Sequence, residues 1–163
     1  MQGAHEEIRV VQAFKPVDRS SADTLYNGVA AGSSADKGID LRGFDEALVI
    51  VQAGVINASV TSVVYTPQTK AANTNTAEDA TSVASTDLTS SALTLGPSDD
   101  NKTKLIRVRC RDVGRYLFIK RVQTGAASIL DSVIVLLTKA QVVPVTNDSA
   151  IDATVSTSFT HSN

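Results

Sequence analysis

"DLRGFDEALVIVQAG", residues Asp40 to Gly54, is the stretch whose reading decides the fold. A turn at Arg42 and Gly43 opens onto an almost unbroken apolar run, and a second turn follows. Ala47 to Val51 reads as a strand buried on both faces, as in the middle of a packed sheet. The neighbours repeat the signal, because Val, Ile and Thr lose rotamer freedom in helices and suit a pleated surface.

Downstream, Ser59 to Thr66, "SVTSVVYT", partly alternates and Pro67 is expected to close it. Upstream, Glu7 to Phe14, "EIRVVQAF", reads as a first strand ended by "KPVD", since Pro16 has no N–H to give a ladder. Between them Thr24 to Ala30 has the makings of a short strand, although Asn27 and Gly28 also signal a turn. Gln68 to Thr81 holds too few apolar side chains to fill a core and reads as a loop. "SVASTDLTSSALTL" is expected to return as one or two short edge strands before the turn "GPSDDN".

The clearest period of two lies in "KLIRVRCR", Lys104 to Arg111. Ile106, Val108 and Cys110 point one way, and Arg107, Arg109 and Arg111 the other. After "DVG", Arg115 to Gln123 is expected to form its hairpin partner, and Leu130 to Thr138 is the last core strand. No stretch carries a sustained helical stripe with capping signals. The expectation is an all-β, two-sheet sandwich, jelly-roll-like, of roughly six to eight short strands. It occupies residues 1–144, and a Ser/Thr-rich tail or extended C-terminal arm follows over 145–163.

Composition bounds the function. A chain of 163 residues is most simply one domain, and a hydrophobic fraction of 42% is enough to build a core. No apolar run approaches the roughly 18 residues that span a bilayer, and the opening residues do not resemble an export signal, so no membrane association is expected. A net charge of −2 argues against direct nucleic-acid binding. The single cysteine, Cys110, excludes an internal disulfide and reads as a small buried apolar side chain.

Candidate chemistry is sparse. His5 and His161 stand near opposite ends of the sequence without metal-ligand spacing, and no nucleophile elbow, zincin, P-loop or dinucleotide motif occurs. The acidic pairs Glu6/Glu7, Asp45/Glu46, Glu78/Asp79 and Asp99/Asp100 read as turn and loop residues. A glycosidase pair or a carbohydrate-binding sandwich calls for aromatic platforms, and aromatics make up 4% of the chain. The reading is therefore no enzyme, no cofactor and no metal.

The cationic residues are more informative. Lys102, Lys104, Arg107, Arg109, Arg111, Arg115, Lys120 and Arg121 supply eight of the fifteen Lys and Arg side chains. Two readings stand side by side: a solvated face that discourages edge pairing, and a docking face for an acidic protein surface. Arg107, Arg109, Arg111 and Arg115 are the partner-binding candidates. The tail offers Ile151 and Phe159 as anchors, and it fits either a frayed end or an arm that adds a strand to a neighbouring subunit.

The order of features, "VVQAFKPVDRS", "DLRGFDEALVIVQAG", "GPSDDN" and "GRYLFIKRVQTGAAS" followed by "VIVLLTKAQVVPV", resembles the small β-sandwich head decoration, or cement, proteins of tailed bacteriophages over most of residues 8–145. The resemblance implies a homo-oligomer, trimer or dimer, made in the bacterial cytoplasm and bound to the outside of the virion capsid. There it holds capsomers of the major capsid protein together. Other virion roles, such as head fibre, tail or head–tail adaptor, remain the alternatives.

Overall fold

The computed structural model describes residues 8–19, 24–30, 38–71, 73, 81–82, 92–111 and 113–140. Their strands are β1 (Arg9–Arg19), β2 (Leu25–Tyr26), β3 (Val29–Ala30), β4 (Ile39–Asp40), β5 (Phe44–Ile56), β6 (Val60–Lys70), β7 (Thr81–Ser82), β8 (Leu93–Leu95), β9 (Thr103–Arg109), β10 (Tyr116–Gly125) and β11 (Ile129–Ala140). A 3-10 turn covers Pro97–Asp99. One sheet, sheet A, has the order β1-β11-β5-β9. Sheet B has the order β3-β2-β10-β6-β7, with β4 also on β10 and β8 also on β6.

All these pairings are antiparallel. With β2 and β4, which both pair with β10, counted as one strand interrupted by β3 folding back on β2, and β7 with β8 as another, the two sheets read 1-8-3-6 and 2-7-4-5. Those orders are the paired Greek keys of a jelly roll, so the sandwich expectation holds. The core lies between the sheets. Val49, Val51, Ile106, Val108, Val133, Val135 and Leu137 from sheet A meet Val63, Tyr65, Leu117 and Ile119 from sheet B, all without solvent exposure.

Four local expectations are corrected. β1 does not end at Pro16 but continues to Arg19, because β1 is an edge strand and Pro16 falls within a register shift between Phe14 and Val17. β6 likewise runs through Pro67 to Lys70. Pro67 pairs with Ile119, whose N–H and C=O both turn to Asn27 on its other side. Pro67 nitrogen therefore points away from β10, into the gap between β8 at residues 63–65 and β7 at residues 68–69, where no ladder bond is lost.

The third correction concerns the opening stretch. β5 alternates: Ala47, Val49 and Val51 are buried, whereas Leu48 and Ile50 are only half-buried on the opposite face. The fourth concerns β9 and β10. They are not a hairpin, since β9 pairs with β5 in sheet A while β10 pairs with β6, β2 and β4 in sheet B. The chain thus changes sheets between β9 and β10, as consecutive strands of a jelly roll do.

At Asn27 and Gly28 both expectations meet. Positive φ values of 47° and 80° make a tight turn between β2 and β3. The buried Asn27 amide accepts from Ile119 N at 2.8 Å and donates to Leu117 O at 3.0 Å, so a side chain continues the ladder of β10. Phe118 lies on the outer side of β10, and with Tyr26 and Tyr116 it forms a small second cluster.

A set of polar groups crosses the core. Asp131 on β11 accepts from Tyr65 Oη at 2.5 Å and Arg121 Nε at 2.6 Å, and is also bonded by Arg19. Arg121 Nη2 reaches Gln123 Oε1 at 2.7 Å, whose amide caps Ala127 O at 2.6 Å in the β10–β11 turn. The side chains of Arg121 and Asp131 have no solvent exposure. A carboxylate beside a phenol and a guanidinium has the makings of acid–base chemistry, but here the groups face one another inside the sandwich and tie its sheets together.

Candidate docking face

The outer face of sheet A is built by the alternation of its strands. Cross-strand pairing aligns Val10, Leu136, Leu48 and Arg107 in one row, and Gln12, Ile134, Ile50 and Leu105 in the next. Thus six apolar side chains, Val10, Leu48, Ile50, Leu105, Ile134 and Leu136, lie together across four strands. They stay partly exposed, and Leu105 is 55% exposed. Leu130, 46% exposed, continues the apolar character on the same sheet above Gly54.

The margins of this face are polar. At one end Thr138, Glu46 and Arg109 form a row, and Lys139 Nζ bonds Glu46 Oε1 at 2.8 Å. That bond, and behind it the field of Arg107, holds the Glu46 carboxyl below its ordinary pKa. At the other end stand Ser132, Gln52 and Thr103. The outer face of sheet B is more polar: Lys120, Thr66, Gln68, Lys70, Thr124 and Ser62 surround a half-buried Val122–Val64 pair and the Phe118 cluster.

The four cationic candidates separate accordingly. Arg107 and Arg109 are exposed on β9, at the edge of the apolar face. Arg111 lies just past the strand and grips Asp45 through Nε at 3.0 Å and Nη2 at 2.8 Å. Arg115 grips Asp40 in the same two-pronged way at 3.1 and 2.8 Å, and its guanidinium covers Tyr116 at 4.8 Å from the ring centroid. The Arg115 bond lowers the Asp40 pKa, outweighing the opposing effect of partial burial. Lys120 and Arg121 belong to the other sheet, and Arg121 is wholly interior, so the eight cations do not form one basic surface. Ile151, Phe159, His5 and His161 lie outside the described residues.

The described acidic pairs serve turns and ion pairs. Asp99 accepts from Gly96 N at 3.0 Å and from Lys104 Nζ at 2.9 Å, and its pKa falls to about 2 chiefly through the Lys104 bond. Asp100 accepts from Ile56 N at 2.6 Å. Cys110 is buried, and desolvation followed by the nearby Asp45 and Glu46 pushes its thiol up to about 12. No group of three or more His, Cys, Asp or Glu suited to a metal ion occurs among the described residues.

A groove of about 700 Å³ opens between β1 and the β2–β4 edge, lined by Arg9, Gln12, Arg19, Asn27 and Asp40 among others. Its aromatic wall is Tyr116, whose ring already carries Arg115. The apolar rows of sheet A are what the sequence reading missed. Their signal was in view, because a strand that reads as buried on both faces needs a second cover. No protein-family model, curated protein or solved structure matches this chain.

Proposed function

We propose that this chain is a decoration protein of a tailed-bacteriophage head. In this reading it binds the outer surface of the icosahedral shell as a homo-oligomer, a trimer in preference to a dimer. It holds neighbouring capsomers of the major capsid protein together by contact, without turnover. The fold alone does not carry this, since jelly rolls serve many functions. The observation that carries it is the apolar outer face of sheet A with Arg107 and Arg109 at its margin.

Six apolar side chains in adjoining rows, rimmed by polar groups, give a partner more to cover than an isolated exposed leucine does. It stands on four hydrogen-bonded strands, so little freedom is lost when it docks. Three strand spacings and two rows give an apolar centre on the order of 200 Å². A standard interface needs about 800 Å² per partner. The arginine margin must therefore take part, and each contact is modest. Several modest contacts presented by one symmetric oligomer on a lattice add up through effective concentration. The resemblance of the sequence supplies the identity of the partner.

The test is co-sedimentation of the full-length protein with purified empty shells of the major capsid protein from the same genome. Saturation at many copies per shell, with a raised shell disruption temperature, is the expected result. Protein that stays in the supernatant at saturating concentration overturns the proposal.

A further inference from the structure

The sandwich is open along β1. Val17 pairs with Asp131, so both belong to the inner side of sheet A, yet Val17 is 46% exposed while Asp131 is buried. The groove of about 700 Å³ lies here and follows β1 from Arg9 to Arg19. Those two residues pair with Leu137 and Ile129 on β11, which makes the groove about 26 Å long.

Its polar lining is unevenly occupied. The side-chain acceptors are taken: Asn27 Oδ1 receives Ile119 N, Asn73 Oδ1 receives Gly38 N, and the two Asp40 oxygens receive Arg115. Gln12 pairs with Ile134, on the outer face of sheet A. Asp18, the one acid on β1, pairs with Leu130 and does not line the groove. Of the cations, Arg19 is committed to Asp131 and to Lys15 O. The side chains of Arg9 and Lys15 have no partner among the described residues, and Arg9 Nε is shielded from water without one. A shielded guanidinium nitrogen left without an acceptor is costly. The groove therefore offers unused donors and positive charge, and calls for an anionic acceptor.

We propose that it receives an extended, carboxylate-bearing segment of a partner protein, with one acid at Arg9 and another at Lys15. Lys15 lies between Phe14 and Val17, which pair with Val133 and Asp131, so the two cations stand about 17 Å apart along β1. That is too far for one compact anion, and about four to six residues of extended chain span it. Val17 and the half-buried Val29 add apolar contact, which a polypeptide uses and a nucleic acid or a sulfated glycan does not. A nucleic acid also needs a stacking surface, and the aromatic ring in this lining, Tyr116, already carries Arg115. The inference goes beyond the capsid reading and does not depend on it, because the groove opens on the inner side of β1, away from the outer face of sheet A.

The probe is a fluorescent peptide of alternating Glu and Val, about eight residues long to match the groove, titrated into the full-length protein at low salt and followed by anisotropy. The same peptide with Gln in place of Glu, an oligothymidylate and a heparin fragment are titrated beside it. The acidic peptide is expected to bind, and the Gln peptide at least about tenfold more weakly. Arg9→Gln should weaken the acidic peptide about tenfold, and Lys15→Gln, at an exposed position, about threefold. Lys120→Gln, on the outer face of sheet B, should leave binding unchanged. Tm of the Arg9→Gln protein should not fall, since no bond is lost, and the exposed Lys15 variant reads the same groove if it does. No binding of the acidic peptide up to about 1 mM overturns the proposal. So does equal binding of the Gln peptide, tighter binding of the oligothymidylate or the heparin fragment, or a loss with Lys120→Gln as large as with Lys15→Gln. Shell binding is read separately: peptide binding without shell binding removes the capsid reading alone, and shell binding without peptide binding removes the groove alone.

Discussion

Arg121 Nε donates to Asp131 Oδ2 at 2.6 Å inside the sandwich, joining β10 of sheet B to β11 of sheet A with neither side chain exposed. Such a pair adds little net stability relative to apolar residues of the same volume, but removing one partner leaves the other charge stranded. Here the stranding is doubled, because Asp131 also bonds Arg19. Asp131→Asn is therefore expected to cost about 3–5 kcal/mol. In a domain of this size that lowers Tm by roughly 6–20 °C. Replacing Arg121 and Asp131 together by Met and Leu should cost less than Asp131→Asn alone. Thermal unfolding of the three proteins checks both statements, and a loss below about 1 kcal/mol for Asp131→Asn contradicts the first.

The amide of Asn27 makes a comparable prediction on the sheet edge. Asn27→Ala removes the partners of Ile119 N and Leu117 O, two backbone groups on a buried strand. Each buried group left unsatisfied costs about 1–3 kcal/mol. Ala also adopts the observed φ of 47° less readily than Asn does. Urea denaturation should show a lower midpoint with an unchanged slope. Asn27→Asp keeps the acceptor for Ile119 N but sets a buried carboxylate against Leu117 O, so at neutral pH it should cost at least as much as Ala.

Much of this architecture is legible in the sequence, and the reasons it is not complete are physical. Alternation in Lys104 to Arg111 gives β9 and its two faces, because one side of that strand is core and the other is not. Proline misleads at Pro16 and Pro67, since whether a missing N–H matters depends on what lies beside the strand, which no local pattern reports. The β9–β10 hairpin fails for the same reason: "DVG" has the form of a tight turn, and only the packing of two sheets sends the next strand to the other layer. The Arg121–Asp131 pair is invisible because a charge in an alternating strand looks solvent-facing. The apolar face of sheet A is half visible, as a run that reads as buried on both sides.

Asp99 gives a pH prediction with a definite sign. Its pKa is held at about 2, below the ordinary value of 3.8, mainly by Lys104 and then by Gly96 N. A carboxyl depressed on folding contributes stability above its unfolded pKa, and that contribution is lost as pH falls through the folded one. The 3-10 turn at Pro97–Asp99 should stay anchored at pH 4 and loosen as pH approaches 2. Carboxyl-carbon NMR checks the midpoint, and Lys104→Gln should move it upward. A midpoint at the ordinary value in the unaltered protein contradicts the bonding described.

Cys110 should be chemically quiet. Burial first, and Asp45 with Glu46 after it, push the thiol up to about 12, so almost no thiolate exists at pH 8. Alkylation by iodoacetamide should be slow in the native protein and fast in denaturant. Rapid native alkylation would mean that the β9 end of the sandwich opens readily.

On the proposed capsid reading, the apolar face and its arginine margin should make separable contributions to docking, which a purely structural role would not. Ile134 and Ile50 pair at the centre of the outer face, half-buried and facing away from the core. Ile134→Lys puts a charge where a partner has to exclude water, so shell binding should fall at least about tenfold through faster release. Arg107 and Arg109 stand exposed at the margin, and long-range attraction governs encounter more than lifetime. Arg107→Glu with Arg109→Glu should slow association and flatten its salt dependence while Tm changes little, because exposed substitutions away from special features shift stability by about 0.5 kcal/mol or less. Binding kinetics on immobilised shells between low and moderate salt read both effects. If Ile134→Lys binds as wild type does, the outer face of sheet A is not the docking surface. If the arginine pair alters release and leaves association untouched, those side chains are clamped within the interface core and the margin lies elsewhere.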